Sequence, residues 1–137
     1  MKVMVAEDGS PVRQMLCEVL ENLGVQEIVE CTNGLEAIQY IENNQDERLS
    51  AIFLDLNMEG MNGLSFLQKY KRKSTYNDIP IFVITGDPSQ EKMKTCFRHE
   101  IYCYVEKPFS LKQIQECLSI AQKIEAADNI LEKAITC

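Results

Sequence analysis

The chain has 137 residues, of which 45% are hydrophobic and 26% are charged, and its formal net charge is -7. These proportions are typical of one compact globular domain and argue against a disordered chain. The negative charge argues against a nucleic-acid partner, because binding to a phosphate backbone is driven by clustered Lys and Arg.

The six cysteines favour neither a zinc site nor a disulfide framework, because none of them forms a CxxC pair. Cys31 and Cys103 stand in strand-like apolar runs, which favours buried free thiols in a reducing compartment. No stretch of the sequence approaches the roughly 18 apolar residues of a membrane span. The apolar run at residues 1–6 is too short for a signal-peptide core. We therefore expect a cytoplasmic protein without a membrane partner.

Five short apolar or β-branched runs predict strands, and the amphipathic segments between them predict helices. Several runs are continuously apolar, as expected of a parallel sheet with helices on both faces. The order (βα)5 predicts an open, doubly wound α/β fold, whose ligand crevice lies beyond the carboxyl ends of the strands. The runs cover residues 3–6, Glu27–Cys31, Ala51–Leu54, Ile81–Thr85 and residues 102–106.

Local signals predict where the helices begin and end. Gly24 is a candidate helix stop. The fourth helix, over about residues 89–98, is the least apolar, with Met93, Cys96 and Phe97 as its candidates for burial. The candidate N-caps are Ser10 before Pro11, Asn33 before Glu36, and Ser110 before Gln113.

Polar residues that could take part in a reaction stand at the ends of four of the predicted strands. Glu7 and Asp8 follow the first strand, Asp55 the third and Lys107 the fifth, while Thr85 ends the fourth. Parallel strands bring all of them to one edge, where three neighbouring carboxylates call for a cation such as Mg²⁺. A carboxylate nucleophile with a metal, an ammonium group and a hydroxyl is suited to in-line phosphoryl transfer.

At these residues the sequence resembles the response-regulator receiver family over about residues 1–123. The resemblance implies a flavodoxin-like fold with strand order 2-1-3-4-5. It also implies a stand-alone response regulator of two-component signalling, which accepts a phosphoryl group from a histidine kinase or phosphotransfer protein. The matching motifs are Val-Ala-Glu7-Asp8, Phe-Leu-Asp55-Leu-Asn-Met, Val-Ile-Thr85-Gly and Val-Glu-Lys107-Pro108-Phe109.

The resemblance also implies a role for each residue of the site. Glu7, Asp8 and Asp55 would hold Mg²⁺ through their carboxylates, and Asn57 would add its backbone carbonyl. Asp55 would accept the phosphoryl group. Lys107 would pair with a phosphoryl oxygen and, before transfer, with the carboxylate.

A second group of residues would form the switch. The Thr85 hydroxyl would bind a phosphoryl oxygen, and Gly86 would leave the pocket open to a donor histidine. Tyr104 occupies the switch-aromatic position, although simple packing is an alternative. Asp87 either caps the helix that Pro88 begins or tunes the lifetime of the phosphate. An unknown output protein would bind the face formed by the fourth helix, fifth strand and fifth helix.

Position 59 departs from the family pattern, because Glu59 stands where a proline is usual. We hypothesise that its carboxylate lies near the metal and either tightens metal binding or slows the access of anionic donors. The resemblance further implies a cis bond between Lys107 and Pro108.

Residues 124–137 form a C-terminal extension with near-helical apolar spacing. This extension either prolongs the fifth helix or begins a new helix at Asp128. It packs on its own domain or on another copy, so a monomer or a weak homodimer is expected.

Three competing interpretations are retained. A degenerate receiver would act through protein contacts alone. A phosphohydrolase of the haloacid-dehalogenase type would need a second acid where Asn57 stands. His99 would suit a phosphotransfer donor, but such domains are helical bundles, and we interpret His99 as an exposed residue at a helix end.

Overall fold

The computed structural model describes residues 1–72, 79–87 and 89–136, in which five strands alternate with five helices. The predicted (βα)5 order is confirmed. Strand β1 begins one residue earlier than predicted and β5 one residue later. The elements are β1 Lys2–Ala6, α1 Ser10–Asn22, β2 Glu27–Cys31, α2 Gly34–Asn43, β3 Ala51–Leu54, α3 Gly63–Arg72, β4 Ile81–Thr85, α4 Gln90–Arg98, β5 Cys103–Glu106 and α5 Leu111–Thr136.

The strands form one sheet in the order β2-β1-β3-β4-β5, and each neighbouring pair is parallel. The predicted flavodoxin-like α/β fold is therefore confirmed. The three central strands are buried apart from the first residue of β1, which explains their continuously apolar sequences. Since the sheet is parallel, the carboxyl ends of all five strands lie along one edge.

The two faces of the sheet carry separate cores. Alternate residues of one strand point to opposite faces, so Phe53 belongs to one core, and Ile52 and Leu54 belong to the other. The core that contains Ile52 is covered by α2 and α3, with Cys96 of α4. The core that contains Phe53 is covered by α1 and α5. Burial of a large apolar side chain stabilises the fold by roughly 1.5–3 kcal/mol.

Two of the three predicted N-caps are confirmed. Asn33 Oδ1 accepts from the Glu36 N–H at 2.9 Å at the start of α2. Ser110 and Gln113 form the capping box of α5, each side chain accepting from the other residue's N–H. The prediction for Ser10 is wrong, because Ser10 is already helical and Gly9, which has no side chain to donate or accept, is the N-cap. Gly24 follows α1 with a φ of +97°, as a helix stop requires.

The start of α4 excludes one of the two roles considered for Asp87. Ser89 is its N-cap and accepts from the Lys92 N–H at 3.3 Å, so Asp87 is not the cap. Pro88 lies outside the described residues. Cys96 is fully buried and Met93 half-buried, but the burial predicted for Phe97 is wrong, since 47% of it is exposed. Adjacent helical residues point about 100° apart, so the face that buries Cys96 turns Phe97 outward.

The C-terminal extension prolongs α5 without a break and does not form a separate helix. It contacts the segment before β3, where Arg48 Nη2 lies 2.6 Å from Asp128 Oδ2 and the Ser50 hydroxyl donates to Glu125 Oε1 at 3.1 Å. Beyond these contacts Ile130 and Leu131 are exposed. The extension therefore packs in part on its own domain, while the oligomeric state stays a prediction.

The described cysteines are free, and all are buried except Cys103, which is half-buried. Burial raises the pKa of Cys31 and of Cys117 to about 12, which makes both thiols unreactive. Cys137 lies outside the described residues. The predicted cis bond between Lys107 and Pro108 is confirmed. Of the helices in the described ranges, none has the length and apolar character that crossing a bilayer would need.

Two glycines allow close backbone contacts near the carboxyl edge. A β-carbon at Gly63, the first residue of α3, would lie 2.2 Å from the Asp55 carbonyl oxygen. A β-carbon at Gly34, the first residue of α2, would lie 2.8 Å from Met61 Cγ. The Gly34 N–H also donates to the Met61 carbonyl at 2.7 Å. Helices α2 and α3 are therefore packed directly against the β3–α3 loop.

Candidate functional site

Three carboxylates meet at the carboxyl edge of the sheet. Glu7 and Asp8 follow β1, and Asp55 follows β3, which is the neighbour of β1. Each of the three offers an oxygen within 4.8 Å of the other two. Glu7 and Asp55 are buried, whereas Asp8 is exposed. The structure thus brings together the acids that the sequence places at separate strand ends.

Lys107 supplies the positive charge of this cluster. Its ammonium nitrogen lies 2.6 Å from Glu7 Oε1 and 3.1 Å from Asp55 Oδ2. Burial alone would lower the pKa of Lys107, but the Glu7 and Asp55 carboxylates outweigh that effect and raise it. Lys107 therefore remains an ammonium group that is held between two buried carboxylates.

Glu7 is an acid of the cluster whose ionised form is disfavoured by burial. Burial, reinforced by the Asp55 carboxylate, raises its pKa to about 7, although Lys107 acts in the opposite direction. Its second oxygen, Oε2, is buried and has no hydrogen-bond partner among the described residues. A buried oxygen without a partner is costly unless a donor or a cation compensates it. Glu7, Asp8 and Asp55 together offer three carboxylate oxygens, a donor set that fits a Mg²⁺ ion that keeps part of its water shell.

The loop after β3 donates peptide N–H groups to two of the acids. The Asn57 N–H donates to Asp55 Oδ1 at 3.1 Å, and the Glu59 N–H donates to Asp8 Oδ2 at 3.2 Å. The Glu59 side chain is exposed, and its carboxylate is not one of the three mutually close carboxylates. The roles expected of the Asn57 carbonyl and of the Glu59 carboxylate stay predictions.

Arg13 is a site residue that the sequence analysis missed. Its Nη1 donates to the backbone carbonyls of Glu7 at 2.9 Å and of Asp8 at 3.4 Å, and its Nε lies 3.2 Å from Glu30 Oε1. Arg13 therefore ties the acidic turn to α1 and β2. Its sequence signal is a cation in the first turn of the helix that follows the acidic pair, a position that does not lie at a strand end.

A second polar group lies on the other side of Asp55, after β4. The buried Thr85 hydroxyl accepts from the Asp87 N–H at 3.2 Å. The Asp87 carboxylate accepts from the Ser89 N–H at 3.0 Å and pairs with Lys92 Nζ at 2.6 Å. Both contacts lower the pKa of Asp87, and the contact with Lys92 has the larger effect. The Tyr104 hydroxyl donates to the Asp87 carbonyl at 3.0 Å.

Gly86 and His99 are two further positions considered in the sequence analysis. A β-carbon at Gly86 would meet no atom within 4 Å, so the space beside this exposed residue is open. His99 is the C-cap of α4, so its predicted place at a helix end is confirmed, but the exposure predicted for it is wrong because it is half-buried. Its N–H donates to the Cys96 carbonyl at 2.9 Å.

Comparisons with known proteins agree with this geometry. Residues 3–119 match the model of the response regulator receiver domain. The chain is 30% identical over 120 residues to chemotaxis protein CheY1 of Helicobacter pylori, covering 88% of this chain and 95% of that protein. It is 30% identical over 118 residues to the CheY homolog of Campylobacter jejuni, covering 86% of this chain and 89% of that protein.

Solved structures show the same relationship. The crystallised chemotaxis protein CheY4 of Vibrio cholerae superposes with a TM-score of 0.75 at 28% identity, covering 88% of this chain and 97% of that chain. The fold, the family match and the relatives agree, and the chain belongs to the response regulator receiver domain family.

Proposed function

We propose that this chain is a phosphoacceptor of two-component signalling, in which Asp55 receives a phosphoryl group from a histidine kinase or phosphotransfer protein in a Mg²⁺-dependent reaction. The observation that carries the proposal is the Lys107 ammonium held between Glu7 and Asp55. It stands beside three carboxylates whose oxygens lie close enough together to bind one metal ion. Nucleophile, ammonium and cation ligands thus surround one point.

Transfer would proceed by in-line displacement. An Asp55 carboxylate oxygen forms a bond to phosphorus while the bond from phosphorus to the donor histidine nitrogen breaks. The electron pair of the broken bond stays on the imidazole, and no base is needed because a carboxylate nucleophile has no proton to lose. Mg²⁺, held by Glu7 and Asp8 with Asp55, would neutralise the charge of the phosphoryl oxygens.

Lys107 and Thr85 would bind the transferred group. The Lys107 ammonium can replace its contact with Asp55 Oδ2 by one with a phosphoryl oxygen. The Thr85 oxygen accepts from the Asp87 N–H, so its own hydroxyl hydrogen is available to donate to another phosphoryl oxygen. Since Asp87 also binds Tyr104, movement at Thr85 would reach β5. The partner face of α4, β5 and α5 would change accordingly.

Incubation of the purified chain with acetyl phosphate and Mg²⁺, followed by mass spectrometry of the intact protein, tests the proposal. We expect the mass of one phosphoryl group to be added, and the adduct to be absent in Asp55→Asn and in the presence of a chelator. Asp46→Asn, which changes an exposed acid in the loop before β3, should keep the adduct. A wild-type chain that gains no mass, or an adduct that persists in Asp55→Asn, would contradict the proposal.

The same experiment addresses the retained alternatives. A degenerate receiver would give no adduct, although its partner contacts would persist. The chain belongs to the receiver family, which argues against a phosphohydrolase of the haloacid-dehalogenase type. Asn57 also argues against it, because that class of enzyme needs a second acid at this position. His99 has no role in the proposed reaction.

A further inference from the structure

Glu59 makes a contact that the proline usual at this position could not make. Its N–H donates to Asp8 Oδ2 at 3.2 Å, whereas proline has no N–H. We propose that the peptide N–H of Glu59, and not its carboxylate, positions the Asp8 carboxylate for a divalent cation. The inference rests on the metal site proposed above and makes Glu59 a positioning residue.

The surrounding loop aims this N–H at Asp8. The Met58 side chain is buried in the core beneath the loop, and Gly60 turns the chain away with a φ of +75°. The backbone N–H groups of the two residues that flank Met58 reach the acids, since the Asn57 N–H binds Asp55 and the Glu59 N–H binds Asp8. The position of the N–H therefore depends on the buried Met58 and not on the chemistry of the side chain at 59.

Asp8 is the acid that needs such support. Glu7 and Asp55 are buried and share Lys107, whereas Asp8 is exposed. Among the described residues, the Glu59 N–H is the donor to the Asp8 carboxylate. Hydrogen bonds that orient metal ligands typically alter metal affinity by about 10–100-fold when they are removed. The Glu59 carboxylate is exposed and would act only through a charge that salt screens.

Mg²⁺ titration by calorimetry on Glu59→Pro and Glu59→Ala separates the two explanations. Glu59→Ala keeps the N–H and removes the carboxylate, so its dissociation constant should stay within about twofold of wild type. Glu59→Pro removes the N–H, and its dissociation constant should rise about tenfold. Equal weakening in both variants would assign the effect to the carboxylate and overturn the inference, as would unchanged affinity in Glu59→Pro.

Amide hydrogen exchange in the metal-free protein gives an independent test. Asp8→Ala should accelerate exchange of the Glu59 amide, whereas Asp8→Asn, which keeps an acceptor oxygen, should accelerate it less. The Asn57 amide should exchange at the wild-type rate in Glu59→Pro, and faster exchange there would show general loop damage and overturn the positioning role.

The outcomes also separate this inference from the proposed function. A wild-type chain that does not bind Mg²⁺ would overturn the metal site and the inference together. Wild-type binding with equal affinity in Glu59→Pro would overturn the inference alone.

Discussion

The β1–α1 turn and the β4–α4 loop flank Asp55 on opposite sides of the sheet edge, and different kinds of contact hold them. The turn is fixed through its backbone, because Arg13 binds the carbonyls of Glu7 and Asp8. The loop is held mainly by the Asp87 side chain, whose carboxylate pairs with Lys92 and accepts from the Ser89 N–H, with one backbone contact from the Tyr104 hydroxyl to the Asp87 carbonyl.

The difference separates a fixed side of the site from an adjustable one. Two backbone carbonyls that bind one guanidinium cannot both change partners unless the chain moves, so the backbone of Glu7 and Asp8 keeps its place. A carboxylate, an ammonium group and a phenol near solvent can exchange partners at little cost. We expect changes on the fixed side to alter the chemistry, and changes on the adjustable side to alter loop motion.

The largest effect is expected for Lys107→Ala. The ammonium is the cation that contacts both Glu7 and Asp55, so its loss should slow phosphorylation by acetyl phosphate about 100-fold. Lys112→Ala, which changes an exposed lysine at the start of α5, serves as the control. A Lys107→Ala rate within about threefold of wild type would place the charge stabilisation elsewhere, with circular dichroism confirming that the variant folds.

Arg13→Ala tests whether the acidic turn is fixed by its carbonyl contacts. Two backbone carbonyls would lose a charged donor, and the free energy of unfolding should fall by about 1–3 kcal/mol in urea titrations. Arg13→Lys should recover part of the loss, because an ammonium lacks the planar fork of a guanidinium. The control is Gln14→Ala, an exposed neighbour on α1. Equal stability of Arg13→Ala and Gln14→Ala would remove the distinction between the two sides.

The pH dependence of the free energy of unfolding of Glu7→Gln measures how much the buried Glu7 carboxylate destabilises the fold. Because the pKa of Glu7 rises from 4.5 to about 7 on folding, the folded state holds a proton between these pH values that the unfolded chain has released. The Glu7 contribution to stability therefore falls as pH rises through this window.

Without divalent cations, Glu7→Gln should accordingly gain stability relative to wild type, on the order of 1 kcal/mol, between pH 5 and pH 8. Glu18→Gln, an exposed position on α1, is the matched control for the loss of one carboxylate. A difference for Glu7→Gln that is constant, or that shrinks as pH rises, would contradict the electrostatic description of the cluster.

The smallest effect is expected for Lys92→Ala on the adjustable side. Loss of the contact with Asp87 should loosen the loop, so the Ser89 amide should exchange severalfold faster while global stability stays nearly unchanged. Lys94→Ala, an exposed lysine on the same helix, is the matched control. An unchanged Ser89 exchange rate would mean that other contacts hold the loop.

Much of the fold could be predicted because its signals are local. Continuous apolar runs located the strands to within one residue, and side-chain caps located the starts of α2 and α5. The failures have physical reasons. Gly9 caps α1 without a side chain. Phe97 has a large apolar side chain of the kind found in cores, but it lies on the exposed face of its helix.

The site was predictable where a side chain follows a strand and not where a contact involves the backbone. Glu7, Asp8, Asp55 and Lys107 were found because parallel strands share an edge. Arg13 binds carbonyl oxygens, which every residue possesses, so its target has no sequence signature.

The absence of a side chain at Gly63 has a mechanical consequence. Because no β-carbon would fit between α3 and the Asp55 carbonyl, a displacement of the Asp55 peptide must carry the start of α3 with it. The contact of Gly34 with Met61 couples α2 to the same loop. The Asp55 peptide, the β3–α3 loop and the starts of α2 and α3 therefore form one closely packed unit, and we expect a disturbance at Asp55 to reach both helices.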